Sequence, residues 1–278
     1  TGSADTATVL RSHPTLVSRS VRFNAEADSL NAAILGMAAT PGTAEFDLFT
    51  TEVVREMTVK AGQKCTAIRR ALVPTSQIDA MADALAAALT KVRVGDPADE
   101  ATTMGALVGT TQRDEVRGAV MSLRSATNVV VDACTFHDVD PDVGAFLAPT
   151  LLRAIDANAR SIHATEAFGP VCTLVGYNGP EDAVHLAALG AGSLVASVVT
   201  PDVDEAAALT LDIAAHHGRV HVLNASTAAT STGHGSPLPT LLHGGPGRAG
   251  GGEEMGGLRG MRHHMQTTAV QGSPDVLT

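Results

Sequence analysis

The chain has 278 residues, 44% hydrophobic and 17% charged, with a mean hydropathy of +0.13, enough apolar material to bury at least one large core. Its formal net charge is −10, from 19 Lys and Arg against 29 Asp and Glu; with no basic block, it lacks the positive footprint that nucleic acid requires. No run reaches the roughly 18 consecutive apolar residues of a membrane span, and no signal peptide is legible.

Residues 20–24 read as a short strand, with Glu26 and Asp28 just beyond it. A helical stretch over 45–60 stops at Gly62, a loop carries Cys65, and 67–73 reads as a strand. Ile78, Met81, Leu85, Leu89 and Val92 share one stripe of a helix over 76–92, with Thr75 or Ser76 as cap. Val129, Val130 and Val131 read as a buried strand.

The pattern is clearest from 171 to 224. A strand over 171–177 leads to a helix over 180–190 ended by Gly190, then a strand over 193–200. A helix over 201–218 follows, with acids in its first turn, His216 and His217 in its last, and Gly218 closing it. Residues 219–224 form the next strand. This alternation requires βαβ crossovers, so the expected fold class is α/β with a mostly parallel, doubly wound sheet. Residues 225–257 are rich in Gly, Ser, Thr and Pro and read as a long functional or disordered loop. Beyond them, 266–270 is a β-prone run suited to pairing with another subunit.

Cys65, Cys134 and Cys172 form no C-x-x-C pair and no disulfide framework, which favours a reducing, cytoplasmic setting. Cys134 and Cys172 sit in apolar, strand-like contexts and read as core. Cys65 lies in a loop beside Lys60, Lys64, Arg69 and Arg70, and positive neighbours lower a thiol pKa. Free cysteine is also among the most buried residue types, so local chemistry leaves a reactive and a buried Cys65 both open. Glu26 is a candidate for activating water. The match of 245–250 to G-x-G-x-x-G follows no strand, so these glycines read as loop-shaping, not as a dinucleotide fingerprint. Neither histidine doublet, 216–217 or 263–264, has the i,i+4 spacing of a metal pair, so no metal site is expected.

Taken together, AGQKCTAIRR around Cys65, AEADSL around Glu26 and EAFGPV from Glu166 resemble the catalytic half of the aldehyde dehydrogenases. VGDPADEATTMGALV and GRVHVLN are similar to two further landmarks of that family. VREMTVKAGQKCTAIRR, HGGPGRAGGGEE and TAVQGSP resemble the branch acting on CoA-linked semialdehydes from aromatic-ring cleavage, in phenylacetate and benzoyl-CoA degradation. The resemblance implies Cys65 as nucleophile and Glu26 as general base. It implies cofactor contacts at Gly2, Ser3, Glu166 and Phe168, with NADP or NAD as oxidant. Ser3 capping a helix over 4–11 would then suit the cofactor pyrophosphate.

The resemblance further implies that 1–32 is a remnant of the dinucleotide-binding domain, 33–257 the catalytic domain and 258–278 an oligomerisation arm. Family members carry a long N-terminal half before this point, so this chain alone is expected not to turn over aldehyde. A CoA-acylating dehydrogenase and a non-catalytic α/β association module are the alternatives. Glu26 favours water over CoA as the acyl acceptor.

Overall fold

Aliphatic runs buried on both faces belong to the interior of parallel sheets, and AAIL, RALVP, VCTLVGY and SLVASVV are buried at all or all but one of their residues. The computed structural model describes residues 1–238, 243–252 and 257–277. Its elements begin with α1 (Ala4–Arg11), α2 (Pro14–Ser18), β1 (Ala32–Leu35), α3 (Ala44–Thr58), β2 (Arg70–Pro74) and α4 (Ile78–Leu89). Next come β3 (Val94–Gly95), α5 (Thr110–Leu123), β4 (Thr127–Val131), β5 (Phe136–His137), β6 (Thr150–Ala154) and α6 (Arg160–Ala164). The chain continues through β7 (Val171–Tyr177), α7 (Pro180–Ala188), β8 (Ser193–Val199), α8 (Val203–Ile213) and β9 (His217–Leu223) to α9 (Gly257–His264) and α10 (Pro274–Leu277). Among the described residues no helix is long and apolar enough to cross a membrane.

Seven strands form one sheet in the order β4-β6-β7-β2-β1-β8-β9, parallel throughout except for β4 against β6. Alternation along β1 explains the double winding. Ala33 and Leu35 join Phe49, Val53 and Met57 of α3 and Met81, Leu85 and Leu89 of α4 on one face. Ala32 and Ile34 join Leu186 of α7 and Leu209 and Ile213 of α8 on the other. The doubly wound α/β architecture expected from the sequence is therefore the one observed.

Local details differ, each for a physical reason. The helix expected over 76–92 is α4, which begins at Ile78 behind a 3-10 turn over Thr75–Gln77, and no side chain caps it. Thr75 Oγ1 instead donates to the Tyr177 carbonyl (3.1 Å), and Gln77 Nε2 to that of Met37 (3.2 Å). Val129–Val131 lies in the edge strand β4, so Val129 remains exposed. His217 and Gly218 belong to β9 rather than to the helix before it, and His217 is buried. Residues 20–24 form no strand, and Cys134 is only half-buried outside one. Residues 266–270 are exposed and join no strand of this chain. Of the Gly-rich loop, 239–242 and 253–256 lie outside the described residues.

Arg70 is fully buried at the head of β2, although it belongs to a short basic cluster in the sequence. Its guanidinium donates to the carbonyls of Leu30 (3.0 and 2.7 Å), Leu186 (2.7 Å) and Ala187 (3.1 Å), and meets His163 Nδ1 at 2.9 Å. Burial pulls its pKa down to about 9, which still leaves a cation at neutral pH. Gly190 makes room for it: a Cβ there would lie 2.4 Å from Arg70 Nη2. Arg70→Met, which strands buried carbonyl oxygens, is expected to cost about 3 kcal/mol. Gly190→Ala is expected to cost about 1–3 kcal/mol through overpacking. Urea denaturation followed by circular dichroism measures both; unchanged midpoints would show that the guanidinium is not a structural clamp.

Candidate active site

Three segments converge at the amino-terminal edge of the sheet: 24–31 entering β1, 59–69 entering β2, and 165–170 entering β7. Open α/β sheets generally bind ligands outside the carboxyl ends of their strands. Here the chemistry-bearing side chains gather at the opposite edge.

The Cys65 loop is set by backbone conformation. After α3, Lys60, Ala61 and Gly62 take φ of 55°, 51° and 69°, three left-handed residues in succession. For Lys60 and Ala61 such a conformation costs on the order of 1 kcal/mol each. Gly62 is required, because a Cβ there would sit 2.2 Å from the Gly169 carbonyl. The turn is held by Arg69, whose Nη2 donates to the carbonyls of Gly62 (2.9 Å) and Lys64 (3.2 Å), and whose Nη1 reaches that of Gly169 (2.8 Å). From the other side, Asn31 Nδ2 donates to the carbonyls of Cys65 (2.8 Å) and Ala67 (2.9 Å).

Ligand-type atoms of Cys65, Glu26 and His243 lie within 4.8 Å of one another. His243 Nε2 is 3.8 Å from Glu26 Oε1. Burial, followed by the hydrogen bond and charge of Glu26, pushes the Cys65 thiol up to about 12; the backbone N–H groups of Cys65 and Thr66 pull the other way. This reverses the expectation drawn from the basic neighbours. Lys64 pairs with Glu56 at 2.7 Å, Lys60 is exposed, and both arginines are engaged elsewhere. Cys65 therefore rests as a thiol against a carboxylate. Such a pair can pass the Sγ proton to the carboxylate when the sulfur meets an electrophile.

Asp28, two residues on, is engaged elsewhere. It accepts from Arg248 Nη2 at 2.5 Å and from the Ala4 backbone N–H. The Gly-rich stretch braces this segment, with Ala27 N donating to the Ala249 carbonyl at 3.0 Å. Glycine is needed at 250, where a Cβ would lie 2.4 Å from the Ala25 carbonyl. Asn31, Arg69, Arg248 and His243 thus brace or border this cluster, which their positions along the chain do not reveal. Only the order of the strands brings them together.

Two further expected residues lie beside the thiol loop. Glu166 is buried, with Oε1 3.6 Å from Arg69 Nε and no hydrogen bond to that oxygen. Burial raises its pKa, opposed by Arg69. Phe168 is 41% exposed, with the Arg69 guanidinium 5.3 Å from its ring centre. An orphaned carboxylate oxygen beside an exposed aromatic ring suits the hydroxyls and flat base of a nicotinamide riboside. Ser3 caps α1 as expected. The anion at that helix start is Asp28, however, and Gly2 N donates to the Glu26 carbonyl at 3.0 Å.

A carboxylate-coupled thiol beyond a doubly wound parallel sheet is suited to covalent chemistry at a carbonyl carbon. The chain belongs to the aldehyde dehydrogenase family, whose model matches residues 1–270. It is 50% identical over 250 residues to 3,4-dehydroadipyl-CoA semialdehyde dehydrogenase of Aromatoleum evansii, covering 88% of this chain and 48% of that protein. It is 49% identical over 176 residues to Protein MaoC of Klebsiella aerogenes, covering 63% and 52%.

Among solved structures, a mutant of aldehyde dehydrogenase C from Pseudomonas syringae complexed with NAD+ and octanal superposes with a TM-score of 0.80 at 23% identity. That match covers 97% of this chain and 51% of the other. Betaine aldehyde dehydrogenase of Staphylococcus aureus in complex with NAD+ gives 0.75 at 22%, covering 91% and 46%. At these identities the structures show a shared fold. The chain spans about half the length of the two curated relatives.

Replacing Glu26 by Gln removes both the charge that repels a thiolate and the carboxylate that holds the thiol proton. The Cys65 pKa then falls, by about one unit or more. The pH midpoint of iodoacetamide alkylation at Cys65 should move down accordingly, and a midpoint that stays or rises would refute the pairing.

Proposed function

We propose that this chain is the catalytic part of an enzyme that oxidises an aldehyde to a carboxylic acid through a thioester on Cys65. The observation that carries the reading is the meeting of the Cys65 thiol with the Glu26 carboxylate and His243 within 4.8 Å. Cys65 Sγ adds to the aldehyde carbon while its proton passes to Glu26. The N–H of Cys65 helps to bind the oxygen that becomes negative. A bound nicotinamide dinucleotide, NADP or NAD, would supply the hydride acceptor that turns the thiohemiacetal into a thioester. Glu166 would hold its ribose and Phe168 would lie along its base, with Gly2 and Ser3 at its phosphate end. Glu26 then takes a proton from water as the water attacks the thioester, which frees the acid and restores the thiol.

The substrate class we infer is a CoA-linked semialdehyde from aromatic degradation, in keeping with the name of the 50% identical relative. In this reading the protein works in the cytoplasm, 1–32 is the edge of a dinucleotide-binding domain, 33–257 the catalytic domain and 258–278 an arm through which copies associate.

The thiol and its base can be tested without cofactor, using p-nitrophenyl acetate as acyl donor. Release of nitrophenol should continue in the wild type through acetylation of Cys65 and hydrolysis. Glu26→Gln should slow turnover roughly 100- to 10,000-fold and leave acetyl-Cys65 visible by mass spectrometry. Equal turnover by Cys65→Ala, or hydrolysis that is indifferent to Glu26, would sink the assignment.

A further inference from the structure

We propose that Glu26, Cys65 and His243 form a binding site for a soft divalent cation of the zinc class. Each offers a ligand atom, and these atoms lie within 4.8 Å of one another. The donor set is thiol sulfur, imidazole nitrogen and carboxylate oxygen, the set that zinc accepts, and three protein ligands leave a fourth position open. With metal–ligand distances near 2.0–2.3 Å, tetrahedral ligands stand about 3.5 Å apart. The His243 Nε2 to Glu26 Oε1 distance, 3.8 Å, is already close to that spacing.

His243 is the second, independent observation. It is 6% accessible, and its Nδ1 is buried with no hydrogen-bond partner. Its polar contact is Glu26, at 3.8 Å, too long for a hydrogen bond. A buried imidazole left in that state is costly and uncommon, and coordination through Nε2, the nitrogen that faces Glu26, would give the ring a partner. The backbone on either side of the cluster is fixed. Gly218 admits the Gly244 carbonyl so closely that a Cβ there would overlap it, and Asn31 holds the Cys65 carbonyl at 2.8 Å.

Coordination breaks the Cys65 S–H bond and forms an Sγ–metal bond. The proton leaves to solvent and no oxidation state changes. Occupancy takes nucleophile and base out of the reaction together, making the cation a reversible brake. That consequence rests on the proposed dehydrogenase reading; the binding itself does not.

The test uses zinc ion and the chain as it stands, with iodoacetamide alkylation of the Cys65 peptide read by mass spectrometry. For each variant the readout is the ratio of alkylation rates without and with zinc. The wild type should be protected about tenfold or more, and His243→Phe should lose most of that protection. Cobalt ion should give a thiolate-to-metal charge-transfer band in the wild type that is lost in Cys65→Ser. Absence of protection, or equal protection in His243→Phe, would overturn the site. If His243→Phe fails to match the wild-type circular dichroism, His243→Gln provides the same comparison. Ester turnover is a separate readout, so a failed brake and a failed enzyme assignment are told apart.

Discussion

In a βαβ sheet the helices run back against the strands, so their carboxyl-terminal ends point at the amino edge, where this site lies. That edge is a field of unpaired helix carbonyls, negative in sign. Three arginines answer it. Arg70 donates to Leu186 and Ala187 at the end of α7. Arg248 reaches the carbonyl of Ala164 at the end of α6 (3.1 Å). Arg69 serves Gly62 and Lys64 in the turn after α3. Each also ties a catalytic segment to the framework: Leu30 through Arg70, Asp28 through Arg248, and Gly169 through Arg69. The same cations that neutralise the helix ends, two of them buried, therefore position the site.

This commitment decides the chemistry of Cys65. Arginines that hold carbonyls cannot also hold a thiolate, and Lys64 is committed to Glu56. With burial against it and a carboxylate beside it, the thiolate is not stored. The strain at Lys60 and Ala61 buys position, not charge. What remains is a thiol beside a carboxylate that is placed to take its proton.

The sequence made the sheet legible because crossover strands are buried on both faces. VCTLVGY and SLVASVV needed only their apolar length and the helices between them. Cys65, Glu26 and Glu166 were legible through family-like motifs, since each sits in a distinctive local run. The burial of two adjacent cations was not legible. Alternation along the entry to β2 sends Arg69 and Arg70 to different carbonyl sets, and both are buried. His217 looked like a helix end because helical periodicity does not mark where α8 yields to β9. Val129–Val131 looked like core because three valines do not reveal that a strand has one neighbour. His243 opens the HGGPGRAGGGEE run, but that run does not show that its side chain meets Glu26. Its meeting with Glu26 depends on how the Gly-rich stretch folds back beside the start of β1.

Two carboxylates flank the thiol loop, and their surroundings separate their roles. Glu166 is 9% accessible and faced by Arg69 at 3.6 Å. Withdrawing it to carry a proton would leave a buried guanidinium without its counter-charge, a change costing several kcal/mol. Glu26 has no such tether: its side chain is 23% accessible and faces the thiol and His243. It can turn toward water without disturbing the arginines that hold the edge together. In the proposed reaction acid–base work therefore falls to Glu26, and Glu166, set beside Arg69, is suited to holding a neutral hydroxyl-bearing group.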